Sequence, residues 1–137
     1  NYSSGEHASH KNIIVSTITT DYFLESMGSF KVDFIKMDIE GSESRALMGM
    51  RKTLAENNHL ILITEFWPNG FKNDKRTPRD FLKKLLKLGF KIHHIDEFEK
   101  KVYHVTIDRM IEIADFRMKN QVEKNNTDWY TNLLCIR

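Results

Sequence analysis

The chain has 137 residues, enough for one domain with a substantial buried core. A hydrophobic content of 40% and a charged content of 29% are those of an ordinary globular protein and set aside fibrous and disordered classes. A net charge of +2, with basic residues scattered in pairs such as Lys83-Lys84 and Lys100-Lys101, lacks the clustered basic face that phosphate binding needs, so nucleic acid is not an expected partner.

Residues 1–11 read as a polar, exposed lead-in with His7 and His10. Ile13 to Thr19 reads as a short strand, and Thr20 or Asp21 as the cap of a short helix carrying Phe23, Leu24 and Met27 that Gly28 ends. Val32 to Met37 reads as a buried strand. Beyond Gly41, the apolar positions Ala46, Leu47, Met50 and Leu54 recur at helical spacing and predict one helix over about 42–56, closed by Asn57-Asn58. His59 to Phe66 is a second buried strand, and Trp67-Pro68-Asn69-Gly70 turns the chain into a polar loop reaching Arg76. Thr77-Pro78-x-Asp80 is a helix start, with Phe81, Leu82, Leu85, Leu86 and Leu88 on the core face and Gly89 at the end. Phe90 to Ile95 and Val102 to Ile107 read as strands, Met110 to Met118 as helix, Lys119 to Thr127 as a polar loop and Tyr130 to Ile136 as the last strand.

Strand, helix, strand, helix, strand predicts an α/β domain, a mostly parallel sheet with crossover helices. Cys135 is the single cysteine and has no disulfide or zinc partner. No stretch approaches the ~20 apolar residues of a membrane helix, and no secretory signal is present. No membrane partner is expected, and the expected compartment is the cytoplasm.

The chemistry concentrates in Val32-Asp33-Phe34-Ile35-Lys36-Met37-Asp38-Ile39-Glu40-Gly41-Ser42-Glu43, an apolar strand that ends in three acids around a glycine. Open α/β sheets bind ligands at the carboxyl ends of their strands, and unpaired carboxylates are costly to desolvate. Asp38, Glu40 and Glu43 therefore mark a candidate site. Glu65 ends the second apolar strand and would stand beside Asp38 if the two strands are parallel neighbours. Glu43 also falls in a first helical turn, where an acid is stabilising without any catalytic role. Lys36 is expected to ion-pair with Glu65 or Glu43. Trp67 and Phe66 are candidates for an aromatic wall over a ligand. His93 and His94 occupy successive strand positions, point to opposite faces and read as structural.

The block Asp33-Phe34-Ile35-Lys36-Met37-Asp38-Ile39-Glu40-Gly41-x-Glu43, followed by Ala46-Leu47-x-Gly49, resembles the signature of the FkbM-type methyltransferases, S-adenosylmethionine-dependent enzymes of the Rossmann-like class. Thr17 to Asp21, Leu60 to Glu65 and Asn132 to Ile136 resemble that family's flanking segments in the same order. The resemblance implies a Rossmann-like sheet with an antiparallel last strand and O-methyl transfer to a sugar or natural-product hydroxyl. It also implies Asp38, Glu40 and Glu65 as catalytic residues, with Asp38 facing the cofactor. No two of the six glycines form a G-x-G, so residues 1–137 are expected to be the carboxyl-terminal part of a single domain whose cofactor-binding half is missing. Such a piece is expected to be inactive alone and to self-associate through the exposed edge of its 32–37 strand.

Two alternatives belong to other classes. Asp38-Ile39-Glu40 resembles the D-x-D of metal-dependent nucleotide-sugar glycosyltransferases, and a half-domain can serve as a non-catalytic interaction module. Asp38 and Glu65 together could hold a divalent cation, as in catechol-type methyltransferases. The aspartate-asparagine pair that those enzymes carry on the second strand is absent here, so no metal is expected.

Overall fold

A computed structural model describes residues 14–71, 77–122 and 128–137 of the chain. In chain order its elements are α1 (Thr20–Ser26), β1 (Phe34–Met37), α2 (Glu43–Met48), α3 (Arg51–Glu56), β2 (Ile61–Phe66), α4 (Pro78–Lys87), β3 (Lys91–Asp96), β4 (Lys101–His104), α5 (Ile107–Val122) and β5 (Thr131–Ile136). The predicted lead-in of residues 1–11, with His7 and His10, lies outside the described residues. So do residues 72–76 of the loop after Gly70 and 123–127 of the loop after α5.

The architecture is mixed α/β, with one five-stranded sheet in the order β1-β2-β5-β3-β4. β1 and β2 pair in parallel, β5 runs antiparallel between β2 and β3, and β4 folds back antiparallel on β3. β1, β2 and β3 thus point the same way and β5 opposes them, as predicted. The expectation of a mostly parallel sheet is corrected, because only the β1–β2 pairing is parallel. By inserting between β2 and β3, β5 turns two parallel neighbours into antiparallel pairs, and a tight turn with Lys100 at φ +52° adds the β3–β4 hairpin.

Side chains alternate across the strands. Leu62, Thr64 and Phe66 of β2, Ile92 and His94 of β3, and Leu133 and Cys135 of β5 are buried on one face. Ile63, Glu65, His93, Ile95, Asn132 and Leu134 on the other face are half-buried. The helices close the core with Leu47, Leu54, Phe81, Leu82, Leu85, Met110 and Ala114. At its centre the rings of Phe66, Phe71 and Phe81 lie 5.1–6.5 Å apart; each such buried aromatic is worth about 1.5–3 kcal/mol of transfer free energy.

α4 starts as predicted. Thr77 accepts from the Asp80 amide and Asp80 returns a bond to the Thr77 amide, a complete capping box with Pro78 in the first turn. Leu86 is corrected, standing 45% exposed off the core face. Residues 14–19 form no strand, and Ile14 is 98% exposed. Among the described residues no strand lies beyond β1 for them to pair with, and Thr19 is engaged as the cap of α1, accepting from the Tyr22 amide at 3.1 Å. The single helix expected over 42–56 is two, broken at Gly49-Met50. Asp21 explains the break: its carboxylate accepts from the amides of Lys52 at 3.0 Å and Thr53 at 2.8 Å and so caps α3 from another element. The strand expected over 102–107 stops at His104, since Thr106 caps α5, its hydroxyl accepting from the Arg109 amide at 3.2 Å. No helix among the described residues is long and apolar enough to cross a membrane.

Candidate functional site

β1, β2 and β3 all deliver their carboxyl ends to one rim of the sheet, where the antiparallel β5 begins: Phe66 pairs with Thr131 and Ile95 with Asn132. This is the rim at which open sheets bind ligands. Asp38, Glu40, Glu65, Trp67, Asp128 and Tyr130 line one cavity of about 360 Å³ there. The structure thus brings together all three acids singled out in the sequence as catalytic.

Each is placed by its local backbone. Met37 is the only buried residue of β1, after which Asp38 leaves the sheet. Glu40 at φ +55° and Gly41 at φ +86° are consecutive left-handed residues that turn the chain sharply into α2. The turn is clamped from below by Glu43, which is 1% exposed and accepts from the Ile39 amide at 3.1 Å. Glu43 therefore shapes the turn and does not line the cavity. Lys36 pairs with Asp38 at 2.9 Å, with both side chains about half exposed, and not with Glu65 or Glu43 as expected. Strand alternation puts residues 36 and 38 on one face within reach, while Glu43 is turned inward.

Glu65 is half-buried on β2. Burial raises its proton affinity, and the charges of Asp38, Glu43 and Glu40 push the same way against the smaller opposing effect of Lys36. The expected aromatic wall divides: Trp67 lines the cavity, whereas Phe66 is fully buried in the core. The Trp67 indole N–H donates to Asp128 Oδ1, which also accepts from Asn69 Nδ2 at 3.2 Å. Asp128 was not legible as a site residue; its only signal is its position just before an antiparallel strand that starts at the same rim.

His93 and His94 face opposite sides, as expected. The Thr131 hydroxyl donates to the Ile95 carbonyl at 3.2 Å, so its oxygen accepts from His94 Nε2–H at 3.0 Å, and His94 Nδ1 lies 3.0 Å from the Tyr103 hydroxyl. Burial, aided by the Arg117 charge and opposed by Asp96, lowers the proton affinity of His94. Burial pushes the Cys135 thiol up to about 12. Among the described residues no three His, Cys, Asp or Glu side chains form a group that could hold a metal ion.

In comparison with known proteins, the family model described as the methyltransferase FkbM domain matches residues 2–118. Searches of curated proteins and of solved structures find no match. With the signature acids assembled at one rim and the family model spanning most of its length, this chain belongs to the FkbM methyltransferase family.

Proposed function

We propose that the chain takes part in S-adenosylmethionine-dependent O-methyl transfer to the hydroxyl of a sugar or other small molecule, and that Asp38, Glu40 and Glu65 do its chemistry. The observation that carries this reading is the convergence of the three acids on one cavity in a chain of this family. The donor set suits the group: carboxylates facing one space complement a cationic sulfonium. When bound, S-adenosylmethionine supplies an electrophilic methyl and leaves as a neutral thioether.

Asp38 would hold the acceptor hydroxyl in place, a positioning task that can supply much of the rate. Glu65 would take the acceptor hydroxyl's proton; burial and the neighbouring acids raise its proton affinity above that of an ordinary carboxylate, the direction a general base needs. Glu40, held at the turn, keeps the cavity negative. Trp67 and Tyr130 wall the acceptor from water. The glycine-rich cofactor loop is expected from outside residues 1–137, since no two of the glycines form a G-x-G, and residues 1–137 alone are expected not to turn over. The test is steady-state methyl transfer by the full-length protein and its Asp38→Ala and Glu65→Gln variants, with and without chelator. Both variants should lose rate and the chelator should change nothing. Abolition by chelator would replace the acid–base role with a metal.

A further inference from the structure

A second cavity of about 330 Å³ opens at the same rim, and Asp128 and Tyr130 line both it and the carboxylate cavity. Its other walls include Asp96, Glu97, Arg117 and Trp129. None of these residues is used by the chemistry proposed above.

Arg117 is the unusual member. Its side chain is 33% exposed, and its nearest acidic partner, Asp96 Oδ2, is 3.7 Å away, beyond hydrogen-bond distance. The guanidinium lies over the Phe98 ring at 5.4 Å and donates no hydrogen bond among the described residues. The fork is thus paired with Asp96 by charge on one side and open to solvent on the other, so its outward N–H donors are available to a ligand that enters the cavity. Asp96 does not hydrogen-bond the fork at this distance. It is 8% exposed and its Oδ1 is taken by the amides of Phe98 at 3.1 Å and Glu99 at 3.0 Å.

The charges around the fork set the class of ligand. One cation faces walls that hold three acids, Asp96, Glu97 and Asp128, of which Asp96 is already paired with it. A plain anion would suit Arg117 but meet the acids, and a plain cation would suit the acids but leave the outer side of the fork empty. A molecule carrying both signs satisfies both walls.

Building on the methyl-transfer reading, we propose that this cavity is the acceptor subsite and that it selects a zwitterionic hydroxy compound of the amino-acid class. Its carboxylate is taken bidentately by Arg117 and its ammonium lies against Glu97 and Asp128. The acceptor hydroxyl then reaches across the shared Asp128–Tyr130 wall toward Asp38 and Glu65.

The test compares three probes of one skeleton: threonine, 3-hydroxybutyrate without the ammonium, and 1-amino-2-propanol without the carboxylate. Binding to the full-length protein is followed by nuclear magnetic resonance at the Trp129 indole and the Arg117 Nε–H, without S-adenosylmethionine. Threonine is expected to bind at least about tenfold tighter than either single-charge probe. Arg117→Leu should bring threonine down to the level of 1-amino-2-propanol and leave the latter unchanged, Arg117→Lys should recover part of the loss, and Glu97→Gln should weaken threonine but not 3-hydroxybutyrate. Equal binding of the three probes, no binding of any, or unchanged threonine binding in a folded Arg117→Leu variant would overturn the proposal. No methyl is transferred in this experiment, so it reads binding at Arg117 and Glu97 apart from the transfer step. Failure of the methyl-transfer reading would therefore show separately, in the activity assay.

Discussion

Gly41 passes so close to Gly70 that a Cβ on Gly41 would stand 2.9 Å from the Gly70 carbonyl oxygen. This contact joins the turn after β1 to the loop after β2, the two segments that carry Asp38, Glu40 and Trp67 into one cavity. Gly41 also holds φ +86°, so two independent constraints select glycine there.

Gly41→Ala should therefore destabilise the fold by roughly 1–3 kcal/mol, from strained backbone and the displaced loop together. Urea melts beside wild type measure it. A loss below a few tenths of a kcal/mol would mean that the two loops are not held against each other.

Glu65→Gln should raise the melting temperature at pH 7. The folded protein raises the carboxyl's proton affinity through burial and the charges of Asp38, Glu43 and Glu40. A raised folded value favours the folded state below the ordinary value of 4.5 and withdraws that contribution as pH climbs through the folded value. The variant's advantage should accordingly shrink as pH is lowered toward 4.5 and vanish below it. Melting curves from pH 4 to 8 test the sign, and a variant less stable than wild type at pH 7 contradicts the electrostatic account.

Asp21→Ala should cost about 0.5–2 kcal/mol, the range for a lost helix cap, because the carboxylate holds the first amides of α3 and the Thr53 hydroxyl at 2.7 Å. Burial raises its proton affinity, but the donors from Thr53 and Lys52 outweigh that and hold the carboxyl below its ordinary 3.8. Its contribution is thus present above 3.8 and lost as pH falls through the folded value. Thermal melts at pH 7 and pH 3 should show wild type and variant converging at the lower pH.

What could be read in the sequence, and what could not, divides along physical lines. The β2 run, the Thr77–Asp80 capping box and the Asp38–Glu43 block are local patterns and form where they were placed. The 32–37 run, in contrast, is a strand only over Phe34–Met37 and not a buried one: Met37 alone is buried, because β1 is an outermost strand of the sheet among the described residues. The break at Gly49-Met50 was hidden because the carboxylate that causes it belongs to Asp21, some thirty residues earlier in the chain. Asp128 was hidden for the same reason, since its partners Trp67 and Asn69 lie about sixty residues away. Long-range polar contacts leave no periodicity to detect.

The outer edge of β1 has no partner strand among the described residues, and Phe34 on it is 54% exposed. Open edges recruit other chains, so residues 1–137 expressed alone should self-associate. Sedimentation velocity over a concentration series reads this, with a mass that stays monomeric at high concentration as the contrary result.

The most direct test of the central claim is transfer of the labelled methyl group of S-adenosylmethionine by the full-length protein to a panel of hydroxylated small molecules, repeated with Asp38→Ala. The account predicts label on an acceptor hydroxyl, and a rate about a hundredfold or more lower in the variant with its melting curve intact, as expected when a positioning or acid–base group is lost. Full activity in a folded Asp38→Ala protein would contradict it.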